Sequence, residues 1–134
     1  MAKDHSPTMR TPLGRVKGHG SGHGGTGHFI GERLSSLALL ILCPWFVITA
    51  AFEMRDASFV KALDFVNDPV NAVGIILLIA AGLYHMCLGM QVIVEDYIHK
   101  PLTKTLLLAV NWLLCIALAA AAIYAVLHVN FSGD

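Results

Sequence analysis

The chain has 134 residues, of which 56% are hydrophobic and 13% are charged, and its mean hydropathy is +0.67. These values lie outside the usual range of soluble domains and indicate a small integral membrane protein that folds as one compact unit. The formal net charge is zero, and we expect no nucleic-acid partner.

Residues 1–30 form a polar segment that ends in the low-complexity stretch GHGSGHGGTGH. Such a composition cannot bury enough apolar surface to order itself, so we expect a flexible cytoplasmic arm before a membrane unit of residues 31–134. The arm formally matches the dinucleotide-binding pattern G-x-G-x-x-G, but no strand precedes the match, so a nucleotide site is not indicated. The first apolar block begins only at Leu34, which argues against a cleaved signal peptide.

Three apolar blocks follow the arm and cover residues 34–52, 70–94 and 105–127. None contains Asp, Glu, Lys or Arg, and each has the ~20 residues that a helix needs to cross a bilayer. We therefore predict an all-α membrane protein with three transmembrane helices. Pro44 predicts a kink in the middle of the first helix. Apolar spacing within residues 53–69 predicts a short amphipathic helix on the outer membrane surface.

The three cysteines, Cys43, Cys87 and Cys115, all lie inside the apolar blocks without C-x-x-C spacing. This placement favours buried apolar residues over a disulfide framework or a zinc site.

Lysine and arginine are unevenly distributed between the two sides of a three-span topology. One side carries Lys3, Arg10, Arg15, Lys17, Arg33, Lys100 and Lys104, and the other carries Arg55 and Lys61. Because positively charged loops stay inside, the N-terminus and the 95–104 loop are predicted to be cytoplasmic and the C-terminus periplasmic. We expect the bacterial cytoplasmic (inner) membrane in preference to the mitochondrial inner membrane.

His85 lies near the middle of the second apolar block, where a polar side chain is costly and usually has a specific partner. A hydrogen bond to a neighbouring helix would explain it without a cofactor. However, Gly89 lies one turn further along the same face, and Ala81 lies one turn before. An imidazole beside a slot of small residues is suited to haem ligation.

Asp96 lies eleven residues after His85, about 20° from the same helical face and about 16 Å further along the axis. Tyr97 follows it directly. A carboxylate and a phenol at interface depth could meet the head group of a quinone and protons from the water. The alternative interpretation is interfacial anchoring, which is ordinary for tyrosine and acidic residues at the end of a membrane helix.

With these residues in place, the sequence resembles the small hydrophobic membrane anchor of succinate dehydrogenase (succinate:quinone oxidoreductase, respiratory complex II). The resemblance rests on the pattern His85-x3-Gly89-Met90-x5-Asp96-Tyr97, followed by Lys100-Pro101. It is supported by His28-Phe29-Ile30, Arg33 and Ser35 before three spans, and it covers about 100 of the 134 residues. The Gly/His-rich arm and one extra residue between Tyr97 and Lys100 depart from the family pattern.

The resemblance implies roles for six residues. His85 would be an axial ligand of the iron of a b-type haem, and Arg33 would pair with a haem propionate. His28 and Gly89 would belong to the same haem pocket. Tyr97 would donate a hydrogen bond to a ubiquinone carbonyl, with Asp96 supporting that site and menaquinone as the other candidate quinone.

The partners follow from what the chain lacks. No other histidine lies within an apolar block, so a six-coordinate haem would take its second axial ligand from a second membrane anchor subunit. The extramembrane segments are too short to house a flavin or iron–sulfur clusters, so succinate chemistry would take place on a flavoprotein subunit and an iron–sulfur subunit. The chain would then be one part of a multi-subunit helix bundle in the lipid bilayer.

Three alternatives remain open at this point. The chain could serve a fumarate reductase, because quinone type and net direction depend on potentials that the sequence does not reveal. His85 and Asp96 could instead form a proton relay in a small transport subunit. The chain could also be a purely structural membrane adaptor.

Overall fold

The computed structural model describes Thr11, Leu13 and residues 25–55 and 58–132. The described residues form four helices and no strand. In chain order these are α1 (Gly25–Glu53), α2 (Phe59–Asn67), α3 (Pro69–Tyr97) and α4 (Pro101–Phe131). The predicted all-α fold is confirmed, whereas the predictions for most of the N-terminal arm fall outside the described residues.

Three of the helices are long and apolar enough to cross a membrane, as predicted. They are α1, α3 and α4, with 29, 29 and 31 residues. At 1.5 Å per residue each measures roughly 43–47 Å, which exceeds the ~30 Å hydrocarbon core, so their ends reach the polar layers on both sides.

The first helix begins earlier than the boundary of the predicted arm. Residues 25–30 belong to α1, although the sequence assigns them to the flexible segment. Gly25 and Gly27 have poor intrinsic helix propensity, and this signal favoured a loop. The helix nevertheless extends through them, and further along it Gly31 and Ser35 contact α3.

The middle span, α3, contacts both of the other spans. Among the described residues, no Cα atom of α1 lies within 8 Å of one in α4. The three spans therefore lie side by side with α3 between the other two.

The short helix α2 contacts all three spans at one end of the protein. Phe65 is buried and packs edge-on against Phe46 of α1, with ring centroids 6.1 Å apart. On α4, the Asn130 amide donates to the carbonyl oxygen of Asn67 at 2.9 Å. The predicted amphipathic helix in this connection is confirmed, and it ties the ends of the three spans together.

The start of α3 shows why its boundary is sharp. Asp68 caps the helix by accepting hydrogen bonds from the backbone N–H groups of Val70 and Asn71 at 2.9 and 3.0 Å. Pro69 occupies the first turn, where its missing N–H costs nothing. Five residues further, Gly74 leaves room for the Trp45 ring of α1, which would overlap any Cβ added there.

Pro44 lies inside α1, which stays helical from Gly25 to Glu53. Its predicted kink stays a prediction. All three cysteines are free thiols. Cys87 and Cys115 are buried as expected, whereas Cys43 is exposed on the outer surface of the chain, where a membrane lipid or a partner helix can cover it.

Candidate functional site

His85 of α3 faces Ser35 of α1, and the two side chains are in hydrogen-bonding contact. The distance between Ser35 Oγ and His85 Nδ1 is 3.0 Å. Ser35 is one of the few buried polar residues in the described chain, with 5% of its surface exposed. The histidine predicted to have a specific partner inside the membrane therefore has one, and it lies on the neighbouring span.

A glycine one turn before Ser35 allows this close approach of α1 and α3. A Cβ at Gly31 would lie 2.8 Å from Tyr84 Oη and 3.2 Å from Leu88 Cδ1. Any larger residue would have to displace the Tyr84 or Leu88 side chain at this contact. Small residues continue on both sides of the contact, where Ala38 and Ala81 help to line an apolar groove of about 300 Å³.

The other ring nitrogen of His85 has no partner within the described chain, because no hydrogen bond reaches Nε2 there. One turn further along α3, a Cβ built at Gly89 would meet no atom within 4 Å. Packing within the described chain therefore does not require a glycine at this position. An imidazole nitrogen with a lone pair beside an unfilled surface fits the requirements of a b-type haem.

The two basic residues predicted for the haem pocket differ in their placement. His28 lies seven residues before Ser35, on the same face of α1, and its Nε2 is buried without a hydrogen-bond partner among the described residues. Arg33 is exposed, and its guanidinium lies 5.1 Å from the centroid of the Phe29 ring. Because two residues correspond to about 200° of helix rotation, Arg33 lies on a different face from Ser35. His28 therefore lies on the face of α1 that contacts His85, whereas Arg33 does not.

Asp96 and Tyr97 are the last two residues of α3. Both are exposed, Tyr97 to 76%, and neither has a hydrogen bond within the described residues. Their neighbour Glu95 is engaged, since its carboxylate accepts from Gln91 at 2.9 Å and its backbone oxygen accepts from Lys104 at 3.1 Å. The described chain alone forms no pocket around the pair.

Asn111, in the third apolar block, is a polar residue near the site that was not predicted from the sequence. Its side-chain amide donates to the backbone oxygen of Cys87 at 2.9 Å, which links α4 to α3 only two residues from His85. The available signal was a polar amide within an otherwise apolar run, which in a membrane helix usually marks an interhelical hydrogen bond.

Comparison with known proteins decides the family. The profile of the succinate dehydrogenase/fumarate reductase transmembrane subunits matches residues 7–128. The chain belongs to this family. The match covers α1, α3, all but the last three residues of α4 and every residue of the candidate site, so the resemblance stated from the sequence is confirmed.

Three bacterial relatives of this transmembrane subunit carry the name succinate dehydrogenase hydrophobic membrane anchor subunit. The Rickettsia bellii protein is 31% identical over 105 residues, or 77% of this chain and 82% of the relative. The Paracoccus denitrificans protein is 30% identical over 118 residues, covering 86% and 88%. The Rickettsia conorii protein is 26% identical over 121 residues, covering 90% and 95%.

No solved structure matches this transmembrane subunit significantly. Membership of the family nonetheless places the chain in a membrane and in a complex with other subunits.

Proposed function

We propose that this transmembrane subunit anchors a succinate:quinone oxidoreductase, provides one axial ligand of a b-type haem through His85, and forms part of the ubiquinone-reduction site through Tyr97 and Asp96. The observation that carries the proposal is the state of His85. Its Nδ1 is in contact with Ser35 at 3.0 Å, while Nε2 has no partner in the described chain.

The residues around His85 fit a haem. When bound, a b-type haem supplies a one-electron carrier within the membrane. His85 would ligate the iron, and Gly89 would leave room for the flat macrocycle. His28, with its unpartnered Nε2 on the same side of α1, would contribute to the pocket. Arg33 would reach a propionate only by leaving Phe29, which its exposure allows.

The second axial ligand would come from a partner. The other described histidines are His28 near the start of α1, His99 between α3 and α4, and His128 near the end of α4. None lies beside His85 in the middle of the spans. We therefore propose a second membrane anchor subunit that covers the open surface at Gly89 and supplies the other histidine.

Tyr97 and Asp96 would act on the quinone. The Tyr97 hydroxyl has no partner in the described chain and would donate a hydrogen bond to a quinone carbonyl. The carboxylate of Asp96 lies beside it at the end of α3, where water-borne protons can reach it. Because both side chains are exposed here, the pocket would be completed by the second anchor and the iron–sulfur subunit. A flavoprotein subunit bound to the iron–sulfur subunit would oxidise succinate.

The predicted orientation supports this assembly. The end of the protein that carries Arg33, Lys100 and Lys104 is also the end with Asp96 and Tyr97, and the positive-inside rule places it in the cytoplasm. The soluble subunits and the quinone-site residues would then meet on the same side of the bacterial cytoplasmic membrane.

A fumarate reductase anchor is the second candidate, because the family includes both enzymes. The three relatives are named for succinate dehydrogenase, and this favours electron flow from succinate to quinone. A proton-conducting subunit would need no haem at all, so an optical spectrum separates it from both.

The direct test is His85→Ala in membranes that contain all the subunits. We expect the reduced b-type haem spectrum to be lost or markedly altered while the chain still inserts. His128→Ala is the matched control, because His128 lies in the last turn of α4, away from His85 in the middle of the spans, and its ring packs against Tyr124 of the same helix. An unchanged spectrum in His85→Ala would overturn the ligation.

A further inference from the structure

We infer that Ser35 is a positioning residue for His85. The Ser35 hydroxyl fixes both the tautomer and the ring orientation of the His85 imidazole. This inference rests on the proposed haem ligation and adds a role for a residue of α1. It is carried by three contacts of Ser35 Oγ, which lies 2.8 Å from the Gly31 carbonyl oxygen, 3.0 Å from that of Glu32 and 3.0 Å from His85 Nδ1.

The tautomer follows from counting protons and acceptors. The Ser35 hydroxyl has one proton and can donate it to the carbonyls of its own preceding turn, as serine does within helices. Its oxygen can then accept from a proton on His85 Nδ1. In this arrangement both protons are hydrogen-bonded, and the lone pair of Nε2 is left available.

The opposite tautomer is less favourable by one hydrogen bond. A proton on Nε2 would have no acceptor in the described chain, because no hydrogen bond reaches that atom. A donor in an apolar environment without an acceptor is unfavourable, because it loses its hydrogen bonds to water and gains none in return. The Ser35 hydroxyl therefore selects the form of His85 in which Nε2 is the nitrogen that can bind a metal.

The acceptor is also held in place. Ser35 is 5% exposed, and its oxygen is hydrogen-bonded to the α1 backbone, so it cannot follow a rotating imidazole. The His85 ring can rotate about its Cβ–Cγ bond, and a fixed hydrogen-bond partner for Nδ1 limits that rotation. Groups that hold the second nitrogen of a ligating histidine typically change metal affinity or activity 10–100-fold when they are removed.

The experiment compares Ser35→Ala with Ser35→Thr in membranes that contain all the subunits. Ser36→Ala is the matched control, because its hydroxyl donates to the Glu32 carbonyl at 2.6 Å without reaching α3. The readouts are the low-field electron paramagnetic resonance signal of the oxidised haem, which reports the relative orientation of axial ligand planes, and the rate of haem release to an external acceptor. Neither readout requires turnover.

We expect Ser35→Ala to shift the resonance signal and to speed haem release about tenfold, the lower end of the range for such partners. Ser35→Thr retains the hydroxyl and should resemble the wild type, as should Ser36→Ala. A Ser35→Ala complex with unchanged signal and release would overturn the inference. So would a Ser35→Thr complex that behaves like Ser35→Ala, because the hydroxyl would then not be responsible.

Ser35→Cys covers the case in which the alanine variant does not assemble. It keeps the size of the side chain but replaces the hydroxyl with a weak acceptor, so faster haem release is expected again, and wild-type release would overturn the inference. His85→Ala, measured in parallel, separates the two proposals. If His85→Ala keeps its haem spectrum, the proposed ligation by His85 is refuted. If His85→Ala loses the haem but the Ser35 variants behave like the wild type, only the role of Ser35 is refuted.

Discussion

The side-chain amide of Asn111 in α4 donates a hydrogen bond to the backbone oxygen of Cys87 in α3 at 2.9 Å. The same nitrogen lies 3.3 Å from the Cys87 sulfur, and Cys87 is 1% exposed. Cys87 follows His85 by two residues, and on the other side of α3 Ser35 contacts the histidine ring. The level of α3 that carries the candidate ligand is therefore held by a polar contact from each neighbouring span.

Replacing Asn111 with leucine should weaken the contact between α3 and α4. Interhelical hydrogen bonds in membranes contribute about 0.6 kcal/mol on average and up to about 1.7 kcal/mol, so we expect a loss of roughly 1 kcal/mol. The measurement is the temperature at which the detergent-solubilised complex loses its haem. Leu113→Ala is the control, because Leu113 is an exposed α4 residue. Equal effects of the two substitutions would refute a specific contribution of the amide.

Enlarging Gly89 should affect haem binding more than insertion of the chain. A Cβ there would meet nothing within 4 Å in the described chain, so Gly89→Ala should not disturb the packing of α3. If the macrocycle occupies this space, haem content per inserted chain should fall modestly for alanine and almost completely for leucine. Haem per complex and the amount of inserted chain are measured on the same membranes. Full haem occupancy in Gly89→Leu would place the cofactor elsewhere.

The three spans and the short amphipathic helix were predictable because each depends on local composition. Uncharged blocks of the right length define a membrane helix, and apolar spacing defines the helix that now covers residues 59–67. The start of α1 at Gly25 was not predictable, because the low helix propensity of glycine argued for a loop at residues that the structure shows as helical.

The candidate site was predictable in part. The position of His85 in the middle of an apolar block identified it, and periodicity placed Gly89 on the same face. The contact with Ser35 joins residues 50 positions apart in the chain, and no local pattern encodes such a pairing. The different faces of Ser35 and Arg33 follow from helix geometry, but only the structure shows which of them α3 contacts.

The distribution of lysine and arginine predicts the membrane orientation. A reporter fused after Asp134 should lie on the periplasmic side, and a reporter inserted at Lys100, between α3 and α4, should lie in the cytoplasm. Compartment-specific enzyme reporters distinguish the two. If both report the same compartment, three membrane crossings are refuted. If both results are reversed, the soluble subunits could not dock beside Asp96 and Tyr97.

Removing the hydroxyl of Tyr97 should separate quinone reduction from succinate oxidation. Tyr97→Phe keeps the ring and deletes only the donor to the quinone carbonyl. A lost hydrogen bond of about 0.5–1.5 kcal/mol would reduce binding by several-fold. We expect quinone reduction to fall by more than about tenfold, because the bond strengthens as negative charge develops on the quinone oxygen.

The measurement is the ratio of quinone reduction to succinate oxidation by an artificial acceptor that takes electrons directly from the soluble subunits. Tyr97→Phe should lower this ratio, because only the quinone step depends on the hydroxyl. Tyr124→Phe is the matched control, since Tyr124 is an exposed tyrosine towards the opposite end of the protein. A wild-type ratio in Tyr97→Phe would assign the residue to interfacial anchoring, and a parallel loss of both activities with reduced haem content would indicate failed assembly.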